Sequence, residues 1–236
     1  MTNIIGVIHA RGGSVRIPKK NIKLLGGKPL ITYMIQAALG SKQLRRVIVS
    51  TDDDEIKRIS EEAGAEVPFK RPENLSSDCP SELVTQHAVE FVENQENQTV
   101  DIAVTLQPTT PFCRSQDIDS CVNILLNSPE LNSVITGKLV SERPEWMFRI
   151  LDNHRAKLVF NDEIKGDTGV YQSLPELATV NGAAYATRRH TLFDEGVIIS
   201  SETGIHLMSH QRSIDIDVDL DFKFAEFMLN KLDDKL

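Results

Sequence analysis

Short apolar runs alternate with helical patterns along the first 136 residues. The pattern predicts strands over residues 3–8, 47–50, 102–106 and 133–136, and helices over residues 29–39, 53–63, 80–92 and 115–126. Pro29 suits the first turn of the first helix, and Gly64 ends the second one. Strands that alternate with helices of about ten to fifteen residues indicate an α/β fold, in which helices cover both faces of a mainly parallel sheet.

This alternation stops between Gly137 and Thr179, where the sequence is mixed and polar. We interpret residues 137–179 as an insertion that protrudes from a domain made of residues 1–136 and 180–236. The insertion holds Trp146, Met147 and Phe148, an apolar group that would suit contact with a second subunit. A hairpin folded onto its own domain is the alternative.

Regular structure is predicted again from Gly182 to Thr187, and a final helix from Val218 to Leu232. Five apolar side chains of that helix recur at helical spacing and predict its buried face: Leu220, Phe224, Phe227, Met228 and Leu232.

Composition narrows the class of protein. The chain has 236 residues, of which 40% are hydrophobic, so it can bury a full core. It contains no run of ~20 apolar residues and no signal-peptide pattern. Its three cysteines are odd in number and lack metal-ligand spacing, which favours reduced, structural thiols in the cytoplasm. The net charge of −8 argues against nucleic-acid binding.

One segment carries the opposite charge. Residues 11–28 contain six Lys and Arg side chains and no acidic one, and they follow directly on the first predicted strand. The glycines of Arg11-Gly12-Gly13-Ser14 would let backbone N–H groups approach phosphate oxygens, while the cations neutralise their charge. The segment matches neither the Walker A nor the GxGxxG pattern. It predicts a site for a nucleoside triphosphate, with a solvated basic loop as the alternative.

A pair of carboxylates lies near the other end of the chain, in Ser213-Ile214-Asp215-Ile216-Asp217. In an extended segment Asp215 and Asp217 share one face, ~7 Å apart, while the two isoleucines face the core. Such a pair suits Mg²⁺, which needs one or two carboxylates and phosphate oxygens. Asp217 is also placed to cap the following helix. Together with the cationic loop, the pair predicts phosphoryl or nucleotidyl transfer.

Other polar groups lie in predicted turns and loops. Gln107 lies in a turn with two prolines, and is either a ligand-binding residue or part of a stiff structural turn. Asp78 and Ser81 are either helix caps or nucleotide contacts. The run Asp52-Asp53-Asp54 is interpreted as a turn and helix start. None of the six histidines has ligand or triad spacing, so we assign them no role.

Seven ordered motifs together resemble the acylneuraminate cytidylyltransferase (CMP-sialic acid synthetase) family. They cover nearly the whole chain: VIHARGGSVRIPKKNI, GGKPLI, VIVSTDD, RPENLSSD, LQPTTPFCR, NGAAYAT and MSHQRSIDIDVDLDF. The resemblance implies a Rossmann-like α/β fold with a protruding element that swaps across a homodimer. It also implies Mg²⁺-dependent attack of a nine-carbon 2-keto sugar acid on the α-phosphorus of CTP, giving the CMP-sugar and pyrophosphate.

The resemblance also implies roles for individual residues. The implied catalytic residues are Arg11, Lys20 and Asp217. The implied nucleotide-binding residues are Ala10, Arg11, Gly12, Gly13, Ser14, Arg16, Lys20, Asn21, Arg71 and Ser81. Gln107, Tyr171 and Tyr185 are expected to face the sugar, and Asp215 and Asp217 to hold Mg²⁺.

The chain departs from the family pattern at three positions. Val15 stands where the family usually has lysine, and Arg16 is a better replacement than Lys19 because arginine can bind an oxyanion through two hydrogen bonds. Tyr171 and Trp146 stand where sialic-acid enzymes often have a cation. Because these changes remove positive charge, they favour a bacterial sugar such as legionaminic or pseudaminic acid over N-acetylneuraminic acid.

Three alternatives remain at this point. GTP could replace CTP, an octulosonic acid could replace the nine-carbon sugar, or the chain could be a non-catalytic nucleotide-binding relative. The paired carboxylates argue against the last alternative, because a binding module needs no metal ligands.

Overall fold

The computed structural model describes residues 2–160 and 163–233, except for the side chains of Thr168, Tyr171, Leu232 and Asp233. In that part the strands are β1 Ile4–His9, β2 Leu24–Leu25, β3 Lys28–Pro29, β4 Arg46–Ser50, β5 Ile102–Leu106, β6 Ser133–Leu139, β7 Phe148–Ile150, β8 Ala156–Leu158, β9 Ala178–Arg188 and β10 Thr203–Leu207. The α-helices are α1 Leu30–Leu39, α2 Asp54–Glu62, α3 Ser81–Glu96, α4 Ser115–Asn127 and α5 Asp219–Asp233.

The main sheet, as far as the structure describes it, has the order β10-β6-β9-β5-β1-β4. β10 is parallel to β6, and β5 and β4 are parallel to β1, whereas β9 runs antiparallel to both of its neighbours. The predicted α/β fold with a mainly parallel sheet is thus confirmed. The sequence pattern did not predict the direction of β9 or the existence of β10.

Helices pack on both faces of this sheet because its strands are apolar on both sides. In β1, Ile4 and Ile8 join one buried cluster with α1 and α4, while Ile5 and Val7 join another with α3. Alternate residues of a strand point to opposite faces, so one apolar run can serve both clusters. The polar segments after β1, β4 and β5 then meet at one edge of the sheet.

The predicted insertion begins and ends inside a pair of strands. β6 and β9 remain paired as far as Leu139 and Ala178, with a register shift between Ile135 and Gly137. Beyond that pair, β7 and β8 form a separate two-stranded sheet in which no residue is buried. The division into a domain of residues 1–136 and 180–236 and an insertion of residues 137–179 stays a prediction.

The predicted buried face of α5 is wrong. Leu220, Phe224 and Phe227 are 72%, 50% and 56% exposed, and the buried side chains are Phe222 and Ala225. These two pack with Ile214 and Ile216, beside Met228 and Leu229. The helix carries two apolar stripes, and only its attachment to the rest of the domain decides which one is buried. Of the predicted face Met228 alone packs against this cluster, and the side chain of Leu232 lies outside the described part.

None of the helices in the described part of the chain combines the length and the apolar composition that a membrane span requires.

Candidate active site

A cavity of about 690 Å³ opens at the sheet edge where β1, β4 and β5 end. It brings together residues that lie up to two hundred positions apart. The predicted site residues that line it are Arg11, Ser14, Arg16, Lys20, Asn21, Arg71, Ser81, Gln107 and Asp217. Ala10, Gly12 and Gly13 lie next to it along the chain, and Ala10 itself is fully buried.

Two aspartates after β4 hold the glycine loop. The Gly12 N–H donates a hydrogen bond to Asp52 Oδ1 at 2.9 Å. A Cβ at Gly12 would lie 2.8 Å from Asp53 Oδ2, so glycine is required by this close approach. Asp53 accepts hydrogen bonds from the N–H groups of Glu55 and Ile56 and caps α2, as predicted. The Gly12 N–H, which we predicted to approach phosphate, therefore already has a carboxylate partner.

The predicted phosphate-binding cations converge on carboxylates. Arg11 lies 2.5 Å from Asp78 Oδ1. Arg16 and Lys20 both approach the Asp217 carboxylate, at 3.3 Å and 3.5 Å. The Lys20 ammonium is largely buried and also donates to a backbone carbonyl, the oxygen of Ile216, at 2.8 Å. An arriving triphosphate would exchange these ion pairs for stronger ones with its own oxygens.

Val15, which stands where the family usually has lysine, is uncharged but faces the same cavity. Its side chain is 86% exposed and lines the cavity wall. Of the two cations weighed as replacements, Arg16 also lines the cavity. Lys19 pairs with Glu55 at 2.7 Å instead. The geometry therefore favours Arg16 as the substitute.

The segment of the paired carboxylates has the alternating pattern that we predicted. Ile214 and Ile216 are buried, whereas Asp215 and Asp217 are exposed. The Ile216 N–H donates to the Thr109 carbonyl at 2.8 Å, which joins this segment to the turn that contains Gln107. The weighed alternative was that Asp217 caps α5. Its carboxylate instead approaches Arg16 and Lys20. The Asp221 carboxylate, in the first turn of α5, accepts hydrogen bonds from the Asp217 and Val218 N–H groups at 2.9 and 2.8 Å.

The donor chemistry of this pair fits Mg²⁺. Although Asp215 as a whole residue is exposed, neighbouring protein atoms partly desolvate its carboxyl group and raise its pKa. A hydrogen bond with Thr109 opposes this shift, and the charge of Asp217 raises the pKa further. A cation between the two carboxylates would relieve this repulsion. In the described residues no cluster of three or more His, Cys, Asp or Glu side chains could hold a metal. Mg²⁺ bound here would thus complete its shell with phosphate oxygens and water.

Arg71 lines the cavity and is held in place by Ser50. It is only 6% exposed, its Nε donates to Ser50 Oγ at 3.0 Å, and another guanidinium nitrogen donates to the Ser50 carbonyl. Burial lowers the pKa of this guanidinium, and the Asp52 carboxylate opposes that effect. The buried Asn21 side chain donates to the Arg11 carbonyl at 3.0 Å and so holds the loop in place.

A second cavity of about 350 Å³ adjoins the first and shares Ser81 and Gln107 with it. Tyr185 lines this second cavity, so two of the three predicted sugar-binding residues are brought together. Burial raises the pKa of the Tyr185 phenol, and the nearby Asp215 carboxylate adds to the shift. One wall is apolar and consists of Val197, Ile198 and Ile199. The side chain of Tyr171, the third predicted residue, lies outside the described part.

Asp52 and His9 are among the residues of this site that sequence reasoning missed. Asp52, which holds Gly12, was interpreted only as part of a turn, although its place after a parallel strand was a usable signal. His9 lines the larger cavity and was given no role, because nothing in its spacing distinguished it.

The loop cations and the Asp217 carboxylate lie together where parallel strands end, which is the arrangement that a nucleotidyltransferase site requires. The sequence leads to the same class of protein: residues 5–227 match the sequence model of the cytidylyltransferase family. The protein therefore belongs to that family.

Two relatives and one solved structure show which kinds of cytidylyltransferase this chain is similar to. The chain is 33% identical over 227 residues to a CMP-N,N'-diacetyllegionaminic acid synthase of Legionella pneumophila, with 96% of each chain covered. It is 30% identical over 224 residues to a pseudaminic acid cytidylyltransferase of Campylobacter jejuni, with 94% of each covered. A CMP:2-keto-3-deoxy-manno-octonic acid synthetase complexed with CTP shares the fold, with a TM-score of 0.70, 20% identity and 98% and 100% coverage.

Proposed function

We propose that this protein transfers CMP from CTP to a nine-carbon 2-keto sugar acid that carries acylamino groups, such as legionaminic or pseudaminic acid. One observation carries the proposal: the cavity that gathers Arg11, Arg16, Lys20 and Asp217 shares Ser81 and Gln107 with an adjoining cavity that Tyr185 lines. The two substrates would thus meet beside the residues that both cavities share.

The site residues divide the work as follows. Arg11, Arg16 and Lys20 bind the phosphates and spread the charge that develops during transfer. The anomeric oxygen of the sugar forms a bond to the α-phosphorus, and the bond from that phosphorus to the β-phosphate oxygen breaks to release pyrophosphate. Asp217 accepts the hydroxyl proton. Mg²⁺, held by Asp215 and Asp217, would neutralise phosphate charge.

The second cavity favours an acylated sugar. None of the described side chains that line it is a lysine or arginine, and Val197, Ile198 and Ile199 give it an apolar wall. The methyl of an acylamino group loses water favourably against such a wall. An octulosonic acid carries hydroxyl groups there instead, so the wall argues against that alternative.

The exposed insertion supports a homodimer. Phe148 and Ile150 of β7 and nearby Phe160 are exposed large apolar side chains, and no residue of β7 or β8 is buried. A hairpin folded onto its own domain would have buried part of this surface, so we favour a second copy of the chain as its cover. A cytoplasmic location stays part of the proposal and depends on the three free cysteines.

Pyrophosphate release tests the reaction. CTP and GTP are each combined, with Mg²⁺, with N-acetylneuraminic, legionaminic, pseudaminic and 3-deoxy-manno-octulosonic acids. We expect release with CTP and with legionaminic or pseudaminic acid. Release only with GTP or only with the octulosonic acid would overturn the assignment of base or sugar. CTP binding without release from any pair would indicate a non-catalytic relative.

The dimer is tested separately by sedimentation. Phe148→Ser should shift the protein from dimer to monomer, whereas Phe224→Ser, which removes an equally exposed apolar ring from α5, should not. A wild-type protein that sediments as a monomer would refute this part of the proposal.

A further inference from the structure

His9 connects the larger cavity to a buried chain of hydroxyl groups. It ends β1 and lines the cavity beside Arg71. Its Nε2 lies 3.0 Å from Thr85 Oγ1 on α3, and that hydroxyl lies 2.8 Å from Thr105 Oγ1 on β5. Both threonines are 1% exposed. Thr105 lines the second cavity, so three hydrogen-bonded side chains link the two cavities.

The chemistry of this chain limits what His9 can offer a ligand. Burial lowers the pKa of the His9 imidazole to about 3, and the positive charge of Arg71 contributes. The ring is therefore neutral near pH 7 and has one donor nitrogen and one acceptor nitrogen. Its bond with Thr85 uses Nε2, which leaves Nδ1 with the opposite role. The donor and acceptor roles of the three side chains are coupled, so one direction of the hydroxyl chain would give Nδ1 one polarity.

Charge indicates which part of a nucleotide meets this residue. Arg11, Arg16 and Lys20 are the cations that attract phosphates, and two of them surround Asp217. His9 is uncharged, and its neighbour Arg71 is pinned to Ser50 and cannot follow a phosphate. An uncharged group of fixed polarity suits the uncharged base.

We propose that His9 determines which nucleobase the site accepts, held in one tautomer through Thr85 by Thr105. This inference rests on the proposed nucleotide binding. Cytosine and uracil have opposite donor and acceptor patterns at ring positions 3 and 4, so a group with one fixed polarity must discriminate between them. A mispaired buried polar group is costly, which makes such discrimination effective.

Titration calorimetry with CTP and UTP tests the proposal. Three variants are compared with the wild type: His9→Phe keeps a ring without hydrogen bonds, Thr85→Val breaks the chain, and Thr85→Ser keeps its hydroxyl. We expect the preference for CTP over UTP to fall by about tenfold in His9→Phe and to fall in Thr85→Val as well. Thr85→Ser should keep the wild-type preference. The rate at saturating CTP should change by much less than the base preference.

Thr191→Val is the matched control. Thr191 is fully buried, and its hydroxyl has no hydrogen-bond partner among the residues described here, so its loss should leave the base preference unchanged. If folded His9→Phe and Thr85→Val keep the wild-type preference for CTP over UTP, the proposal fails, while CTP binding and turnover remain. If the wild type binds no CTP and releases no pyrophosphate, the proposed function itself is refuted.

Discussion

Gly182 on β9 lies next to Asp215, one of the two carboxylates that we propose as ligands of Mg²⁺. Its φ is +79°, and a Cβ added there would lie 3.1 Å from Asp215 Oδ2. Gly182→Ala would therefore strain the backbone by about 1–2 kcal/mol and push the carboxylate away by a few tenths of an ångström. Mg²⁺ binds oxygen at about 2.0–2.1 Å and tolerates displacements of about 0.2 Å. The expected shift exceeds that tolerance.

Gly27 offers a control with the same strain and no neighbour. Its φ is +81°, and nothing lies within 4 Å of an added Cβ. Gly27→Ala and Gly182→Ala should both lower the free energy of unfolding by about 1–2 kcal/mol, measured in urea. Only Gly182→Ala should raise the Mg²⁺ concentration for half-maximal pyrophosphate release, by about tenfold, as for other changes next to metal ligands. Equal Mg²⁺ requirements in the two variants would show that the position of Asp215 does not matter for the metal.

Three further predictions concern single residues. Asp217→Asn should abolish pyrophosphate release while calorimetry still detects CTP binding. The control Asp219→Asn, which alters an ion pair with Lys23, should remain active. Turnover by Asp217→Asn would refute the catalytic role proposed for Asp217. Val15→Lys should lower the KM for CTP about fivefold because it adds a cation to the cavity wall, an effect that should weaken with salt and be absent in Val15→Gln. Burial holds the pKa of His9 in the folded protein at about 3, below the ordinary value of 6.5, so its contribution to stability is full above pH 6.5 and is lost as the pH falls towards 3. The free energy of unfolding should therefore fall less between pH 7 and pH 5 in His9→Phe than in the wild type, and equal slopes in urea titrations would contradict the low pKa.

Much of the fold could be predicted because its signals are local. The apolar runs of β1, β4 and β5 and the helices between them are short-range patterns that survive folding. β10 was missed because an edge strand is only half-buried and its alternation is weak. The reversal of β9 has no local signature, since a strand has the same sequence pattern in either direction.

The candidate site could be predicted where one stretch of chain holds the proposed chemistry. The cations from Arg11 to Lys20 and the alternating carboxylates at Asp215 and Asp217 stand out in the sequence because residues with the same proposed task are neighbours along the chain. Asp52 and His9 act on groups that are distant in sequence, Gly12 for the first and Thr85 for the second.

The sequence alone determined the class of fold and the family and predicted a nucleotide as the ligand, because periodicity, charge clustering and ordered motifs are properties of the chain itself. Only the tertiary structure decided which stripe of α5 is buried, which loop cation lies in the cavity, and how a neutral histidine links two cavities. Those outcomes depend on which groups share space and on how far water is excluded from them, and both are settled only when distant segments pack together.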